Sequence, residues 1–283
     1  MRKFRFSLSG FVAALALVCA APAFAQEAPA ENLLEGDHIT VGVGGFYGPS
    51  YDGSDENVLS PYPGVMGRIG GIYISPRPSG LALDLIPEDK GARFGVSLGP
   101  VGSITFNRNA NIKDPVVRAA GKLDVAVELG VNAGVVAYKL LHDYDSLSLS
   151  VDVKWDVAGA YSGMTWAPSI NYVSPVSKAV LVGIYAGAHH ADGNYARYYY
   201  SVTPAQSAAS GLPEYRAKAG WDSVNAGLLV GWDLSGDLRD GGFALFAMGS
   251  YARMLNDGKD TPYTALRGDA DQWTGGLGVA YTF

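Results

Sequence analysis

The sequence predicts an all-β fold. It reads as a transmembrane antiparallel up-and-down β-barrel, with twelve strands if residues 61–86 hold three and ten if they hold one. Three observations predict it. The first is the run Ser146 to Val157, SLSLSVDVKWDV: Leu147, Leu149, Val151, Val153, Trp155 and Val157 take every odd position, and Ser146, Ser148, Ser150, Asp152, Lys154 and Asp156 every even one. Side chains alternate between the faces of a strand, so one face is wholly apolar and the other wholly hydrophilic; a period of 3.6 would mix the two sets. Such a run extends about 40 Å, enough to cross a bilayer core at a tilt. The second is that the same alternation recurs along the chain, with Trp, Tyr and Phe gathered at strand ends, where interfacial belts lie. The third is loop spacing. With both termini in the periplasm, the long stretches 48–60, 108–121, 190–219 and 256–271 all fall outside, and the short connections near 140–146, 174–178 and 235–242 fall inside. A periplasmic β-sandwich, the soluble alternative, accounts for neither the strand length nor the aromatic ends.

Residues 1–25 read as a cleaved signal peptide. Arg2, Lys3 and Arg5 form a basic n-region, Phe11 to Ala21 an apolar core, and Ala23-Phe24-Ala25 a small-x-small cleavage site. Cys19, the one cysteine, leaves with the leader, so disulfide, thiol and cysteine-metal chemistry are excluded from the mature chain. The leader also removes three of the 21 basic residues and none of the 27 acidic ones, leaving a net charge of −9, which argues against nucleic acid as a partner. Outer-membrane lipid and the insertion machinery are the expected partners of such a barrel.

Residues 26–37 read as a short acidic periplasmic segment and 38–283 as the barrel. Ile39, Val41 and Val43 alternate with Thr40, Gly42 and Gly44 in a first strand, followed by the turn-rich loop Gly48 to Ser60. Pro61 to Ser75 and Gly80 to Ile86 hold shorter strands, with Gly70-Gly71 as a turn and Pro76 and Pro78 as breaks. Ala92 to Asn107 keeps phase through Gly99-Pro100 and is one strand. Arg108 to Gly121 is a polar loop, and Lys122 to Tyr138 presents Leu123, Val125, Val127, Leu129, Val131 and Val135 on one face. Gly163 to Tyr172 and Ala179 to Ala188 follow the opening run, divided by a Ser174-Pro175 turn. His189 to Ala219 is irregular. Val224 to Leu234 is a strand, Ser235 to Gly242 a tight turn, and Phe243 to Tyr251 the next strand. After a polar loop at Asn256 to Asp271, the last strand runs to Phe283 with Trp273, Leu277, Val279, Tyr281 and Phe283 on one face. Phe283, with Tyr281, ends the strand that closes the barrel and is the expected assembly signal.

No constellation calls for catalysis, a cofactor or a metal. Gly42-x-Gly44-Gly45-x-x-Gly48 has neither a following helix nor a βαβ unit to make it a nucleotide loop. Adjacent His189 and His190 point to opposite faces of a strand and cannot share a ligand set. His142, Asp143 and Asp145 read as a solvated turn. The inward-facing charges Arg93, Asp124, Glu128, Asp152, Lys154, Asp156 and Asp233 either line a small polar channel or cross-brace a filled lumen, bracing being favoured. Tyr195 to Tyr200, YARYYY, reads as part of an interfacial girdle rather than a ligand site.

Several strings resemble the MipA/OmpV family of outer-membrane proteins. They are Tyr51-Asp52-Gly53-Ser54-Asp55 after a glycine-rich first strand, Thr203-Pro204-Ala205-Gln206-Ser207-Ala208-Ala209-Ser210-Gly211-Leu212-Pro213 with Tyr215 behind it, and the terminal Tyr281-Thr282-Phe283. Asn107-Arg108-Asn109 departs from the Gly-Arg-Asp string of many relatives. The resemblance covers essentially the whole mature chain. It implies a non-enzymatic scaffold linking a murein lytic transglycosylase and a murein synthase to the outer membrane. Other members are tied to adhesion, osmotic response or drug uptake, so a passive pore, an uptake channel or a surface receptor is the alternative it implies. The resemblance supplies no residue-level site.

Overall fold

A computed structural model describes residues 32–33, 36–88 and 91–283; the leader and most of the acidic segment lie outside the described residues. Twelve strands form one closed antiparallel barrel: β1 (His38–Pro49), β2 (Asn57–Ile69), β3 (Ile72–Arg77), β4 (Gly80–Asp84), β5 (Phe94–Thr105), β6 (Ala126–Tyr138), β7 (Ser146–Asp156), β8 (Met164–Pro175), β9 (Val180–Ala191), β10 (Gly220–Asp233), β11 (Gly242–Met254) and β12 (Asp271–Thr282). Each pairs with its sequence neighbours and β12 closes on β1, with Thr40 opposite Thr282 and Tyr47 opposite Gly275. Closure satisfies the backbone without an edge, as a bilayer requires. The alternation reads through to the wall. Leu149, Val151 and Trp155 of β7 point outward and are exposed, as are Val131 and Val135 of β6 and Leu277 and Val279 of β12.

Glycine makes room in the lumen for large rings. A Cβ on Gly278 would lie 2.3 Å from Phe246, and one on Gly227 2.3 Å from Tyr185, so each ring lies over its cross-strand glycine on the neighbouring strand. Phe46 and Tyr62 add a tilted pair with ring centroids 4.9 Å apart.

The two ends of the barrel differ. At the end holding the chain termini, the connections are 70–71, 85–93, 139–145, 176–179 and 234–241. At the other end, three long connections fold into short helices: α1 (Pro115–Ala119), α2 (Gly193–Tyr200), α3 (Pro204–Ser210), α4 (Asn256–Asp260) and α5 (Pro262–Ala265). Several sequence expectations are corrected here. The first loop is only 50–56, because β1 runs to Pro49 and β2 starts at Asn57. The stretches read as irregular or polar loops hold these helices. β6 begins at Ala126, so Leu123 to Val125 belong to the loop before it, where Leu123 is buried.

Candidate functional site: the capped mouth and its chamber

The helices build a packed cap over the mouth. Asp192 ends β9 and caps α2, accepting from the backbone N–H of Asn194 at 2.9 Å and Tyr195 at 2.8 Å. This aims Tyr195, Ala196, Tyr199 and Tyr200 inward, where they pack with Leu123, Ala126, Tyr161, Ala191, Ala217 and Met254. YARYYY is therefore the buried keel of the cap and not an interfacial girdle. Trp155, Trp273 and Tyr251, with Trp273 and Tyr251 rings 4.8 Å apart, supply outward aromatics at this end.

The family-like strings fold the rest of the cap. Thr203 and Gln206 form a reciprocal capping box around α3, with Pro204 and Ala205 in its first turn. Gly211 takes the left-handed conformation (φ 76°) that ends the helix, its N–H reaching Ser207 O at 2.8 Å. Ser207 Oγ donates to Leu212 O at 2.6 Å, and beyond Pro213, Tyr215 pairs with Val202 in both directions, at 2.9 and 3.0 Å. Tyr215 Oη donates to Asp257 Oδ1 at 2.8 Å, linking this segment to α4. Tyr51 joins Ile112, Val117, Val202, Leu212 and Tyr263 in a second buried cluster; burial and the nearby Asp114 carboxylate push its hydroxyl up to about 12. Gly53 N–H donates to Gln272 Oε1 at 3.2 Å and Ser54 bridges to Gly268, while Asp55 is exposed. These motif residues are structural: they hold three loops together.

Arg108 lies at the centre of the cap and is 1 % exposed. Its guanidinium carbon stands 3.6 Å from the Tyr263 ring centroid, and Nη1 donates to Tyr199 O at 3.1 Å. Among the described residues, Nε and Nη2 have no hydrogen-bond acceptor. Desolvation lowers its pKa, with Tyr263 and Tyr51 opposing that shift. The sequence marked Arg108 only as the start of a polar loop, within a string whose Asn107 and Asn109 depart from the Gly-Arg-Asp of many relatives.

Beneath α2 is a chamber of about 300 Å³ reached by Asp52, His189, Tyr195, Tyr200, Asp222 and Gln272. A β-bulge between Trp221 and Ser223 re-aims Asp222 into it. Asp222 Oδ1 lies 2.7 Å from His189 Nδ1, and Tyr200 Oη donates to Asp222 Oδ2 at 2.7 Å. Burial, then the carboxylates of Asp52 and Asp222, raises the Tyr195 hydroxyl well above its ordinary range, and burial and Asp222 do the same for Tyr200. Both hydroxyls stay neutral, and Tyr200 is the donor to Asp222. His190 faces outward, its ring tilted against Trp166 and edge-on to Trp221, so the two histidines diverge as their adjacency requires. Sequence reading begins this strand at Val224 and leaves Asp222 unassigned; continuing the even-numbered outward positions would set it toward lipid, and the bulge turns it inward.

Below the chamber, the inward charges brace the wall. Glu128 receives Ser103 Oγ and Tyr161 Oη at 2.8 Å each and pairs with Lys154. Asp152 receives Arg77 Nε at 2.7 Å and Asn132 Nδ2 at 2.5 Å. Asp156 and Asp233 cap the turns after their strands, Asp156 accepting from Tyr161 N–H at 2.7 Å and Asp233 from Ser235 N–H at 2.8 Å. Two members of the set do not belong to it. Arg93 precedes β5 and is exposed at the terminal end; Asp124 lies in the loop before β6, exposed, its N–H donating to Tyr198 Oη at 2.8 Å. Arg77, outside the sequence-derived set, takes the cationic role given to Arg93. The Asp145 turn is also corrected: its carboxylate is buried, not solvated.

The terminal residues close the wall. Tyr281 packs outward on Phe243 at 4.8 Å and on Phe283 at 4.7 Å, and Phe283 N–H donates to Ile39 O at 2.9 Å.

Similar proteins place this architecture. No curated protein sequence matches the chain. Among solved structures, an outer membrane channel from Pseudomonas putida F1 aligns at TM-score 0.45 and 14% identity, covering 92% of this chain and 100% of that one. OmpT, an outer membrane protein of Vibrio cholerae, aligns at 0.37 and 9%, covering 87% and 97%. The translocator domain of the autotransporter NalP from Neisseria meningitidis aligns at 0.35 and 13%, covering 87% of each. The family model described as MltA-interacting protein MipA matches residues 41–283, the whole barrel from its first strand to its last residue, and the chain belongs to that family of outer-membrane β-barrels.

Proposed function

We propose that this barrel is a scaffold at the outer membrane whose terminal end faces the periplasm and docks murein enzymes, a lytic transglycosylase and a murein synthase. The family description, an MltA-interacting protein, supplies the partner class. One observation at the terminal end carries the reading. The Asp145 carboxylate accepts from the N–H groups of Leu140 at 2.7 Å and Leu141 at 2.9 Å and from Tyr172 Oη at 2.8 Å, so the 139–145 turn is rigid. It holds Leu141 81% and Tyr144 71% exposed, and Val176 on the neighbouring turn is 63% exposed. Ordered, solvent-facing apolar side chains at the tip of a turn mark an interaction surface. Leu238 N–H donates to Lys178 O at 2.7 Å, tying the next two turns together, and Leu33 N–H donates to Arg239 O at 2.9 Å, setting Leu33 on the same platform. Short turns thus supply a preorganised surface.

Affinity capture from solubilised envelopes tests this. The wild-type barrel is expected to retain a lytic transglycosylase, and a Leu141→Ser, Tyr144→Ser variant that keeps its heat-modifiable gel mobility is expected to lose it. Equal retention by both removes the platform. No retention by either, together with single-channel conductance in planar bilayers, replaces the scaffold with a pore. The chamber under α2 favours a second reading, small-ligand uptake, which conductance and ligand titration address.

A further inference from the structure

The barrel wall has a notch in its capped half, beside the end of β2 that overhangs the β3–β4 hairpin. β2 pairs with β3 only through Gly67, Arg68 and Ile69, and β4 with β5 only through Gly80, Leu81 and Ala82. Apart from the five pairs within the β3–β4 hairpin, the other neighbouring strands pair through eight or more residues, as in the twelve pairs of β1 with β2. Extending the Gly67–Ile74 register places Arg77 opposite Gly64, so Asn57 to Pro63 of β2 runs on past the tip of the β3–β4 hairpin. There β2 has no strand beside it: carried across β3 and β4, the register sets Pro63 level with Ile104 and Tyr62 level with Thr105, the last residue of β5, and the 106–113 loop lies beyond.

The sequence around this notch is adapted to it. Gly70 and Gly71, both at positive φ (57° and 84°), form the two-residue turn joining β2 to β3, so Ile69 and Ile72 are the hydrogen-bonded pair next to it. Counting by twos, Gly67, Val65, Pro63 and Pro61 direct their backbone toward β3. Two of these four are proline, and the β3 residue that would meet Val65 is Pro76. Proline removes the N–H that hydrocarbon would leave unsatisfied, which is why it marks open strand edges. Two contacts span the gap. Tyr62 Oη donates to Arg77 O at 3.0 Å below, and Lys113 Nζ reaches Asn57 O above. Asn107 pairs with Asp52, Nδ2 to Oδ2 at 2.8 Å, and completes the roof.

The level of the notch defines what it meets. Tyr47, outward and opposite Leu59, belongs to the aromatic girdle, so Pro61 to Val65 lie below it in the apolar band. Leu59, 72% exposed, with Leu81 and Ile104, gives the rim an apolar face toward the membrane. Ser60 and Tyr62 point the other way, into the lumen, where Tyr62 and Phe46 offer an aromatic wall. The axial entrance is covered by the packed cap, whereas here the Asn57 to Pro63 edge of β2 has no strand beside it.

We propose that the notch is a lateral window through which an acyl chain from the outer half of the membrane enters the upper lumen and lies against Phe46 and Tyr62. This function is separate from the docking platform at the other end of the barrel. The test places the photo-crosslinking residue benzoylphenylalanine at Ser60, Leu59 or Ser250, with the barrel reconstituted in phosphatidylcholine vesicles with and without added oleic acid. Leu59 reports the lipid-facing wall. Ser250 faces the lumen on β11, away from the notch. Lipid adducts are expected at Leu59 and Ser60 and not at Ser250, the adduct mass telling whether phospholipid or free oleate supplied the chain. Replacing Pro61, Pro63 and Pro76 by valine, which restores the missing donors, is expected to cut the Ser60 adduct at least fivefold while leaving that at Leu59. An adduct at Leu59 without one at Ser60, equal adducts at Ser60 and Ser250, or a Ser60 adduct unchanged in a folded valine variant overturns the proposal.

Discussion

Arg77, at the tip of the shortest hairpin, donates Nε to Asp152 Oδ2 at 2.7 Å, 75 positions along the chain on β7. The ion pair crosses the lumen and anchors a hairpin that its neighbours hold by only three residue pairs on each side. Asp152→Ala is expected to destabilise the barrel by about 2 kcal/mol, less than the roughly 3–5 of a fully buried pair because Arg77 keeps 23% of its side-chain exposure. Replacing both residues by leucine is expected to recover most of the loss. The temperature at which the folded band disappears from a cold-loaded gel reads both.

Arg108 separates packing from charge. Its guanidinium is buried without a carboxylate beside it, so the charge costs desolvation while the stem and plane fill space over Tyr263. Arg108→Met is expected to leave cap stability within about 1 kcal/mol of wild type or to raise it, and Arg108→Ala to lower it by about 3 kcal/mol through the cavity left behind. Hydrogen exchange of the α2 amides gives the difference. A loss in Arg108→Met as large as in Arg108→Ala assigns the contribution to the charge instead.

Gly53 in the first loop has φ 91°, and a Cβ there would lie 2.1 Å from Thr264 Oγ1. Gly53→Ala therefore combines left-handed strain with overpacking, about 2–4 kcal/mol together. Because the clash is between loops, the expected outcome is faster proteolysis of the cap with the barrel's gel mobility retained.

Acid should loosen α1. Asp114 caps it, accepting from Val116 and Val117 N–H at 2.8 and 3.0 Å, and receives Arg267 Nη2 at 2.6 Å. Burial works to raise its pKa, but Arg267 and the two amides outweigh it and hold the carboxyl below its ordinary value. A group lowered by folding contributes fully above the ordinary carboxylate range and loses that contribution as pH falls through its lowered value. Protection of the Val116 and Val117 amides is expected to drop in strongly acidic solution, and Asp114→Asn to show low protection at neutral pH already. Equal protection of both proteins at neutral pH removes Asp114 as the cause.

The strands were legible because a barrel wall obeys one rule, lipid on one side and lumen on the other, and a period of two records it directly. β5 keeping phase through Gly99-Pro100 is the clearest instance. The cap was not legible, because its tyrosines satisfy two physical descriptions at once. A tyrosine at a strand end suits an interfacial belt, and the same tyrosine suits a buried cluster once Asp192 starts a helix before it. Asp222 was missed for a simpler reason: it precedes the Val224 start read for its strand, and one inserted residue reverses the face that extended alternation would give it. Arg93 and Asp124 failed because alternation was extended a few residues beyond the true strand ends.

Closure of the wall has a temporal side. Thr40 Oγ1 and Thr282 Oγ1 lie 2.8 Å apart across the β1–β12 junction, separated by 242 positions. The strand made first waits for the strand made last, and nothing translated in between relieves that wait. The polypeptide must therefore remain unsealed through its whole synthesis and export, holding its apolar faces uncommitted until the final dozen residues arrive. Entropy makes such distant joining slow in free solution. The same arrangement guards against truncation: a chain cut short before Asp271 lacks the strand that seals the ring and never becomes a barrel.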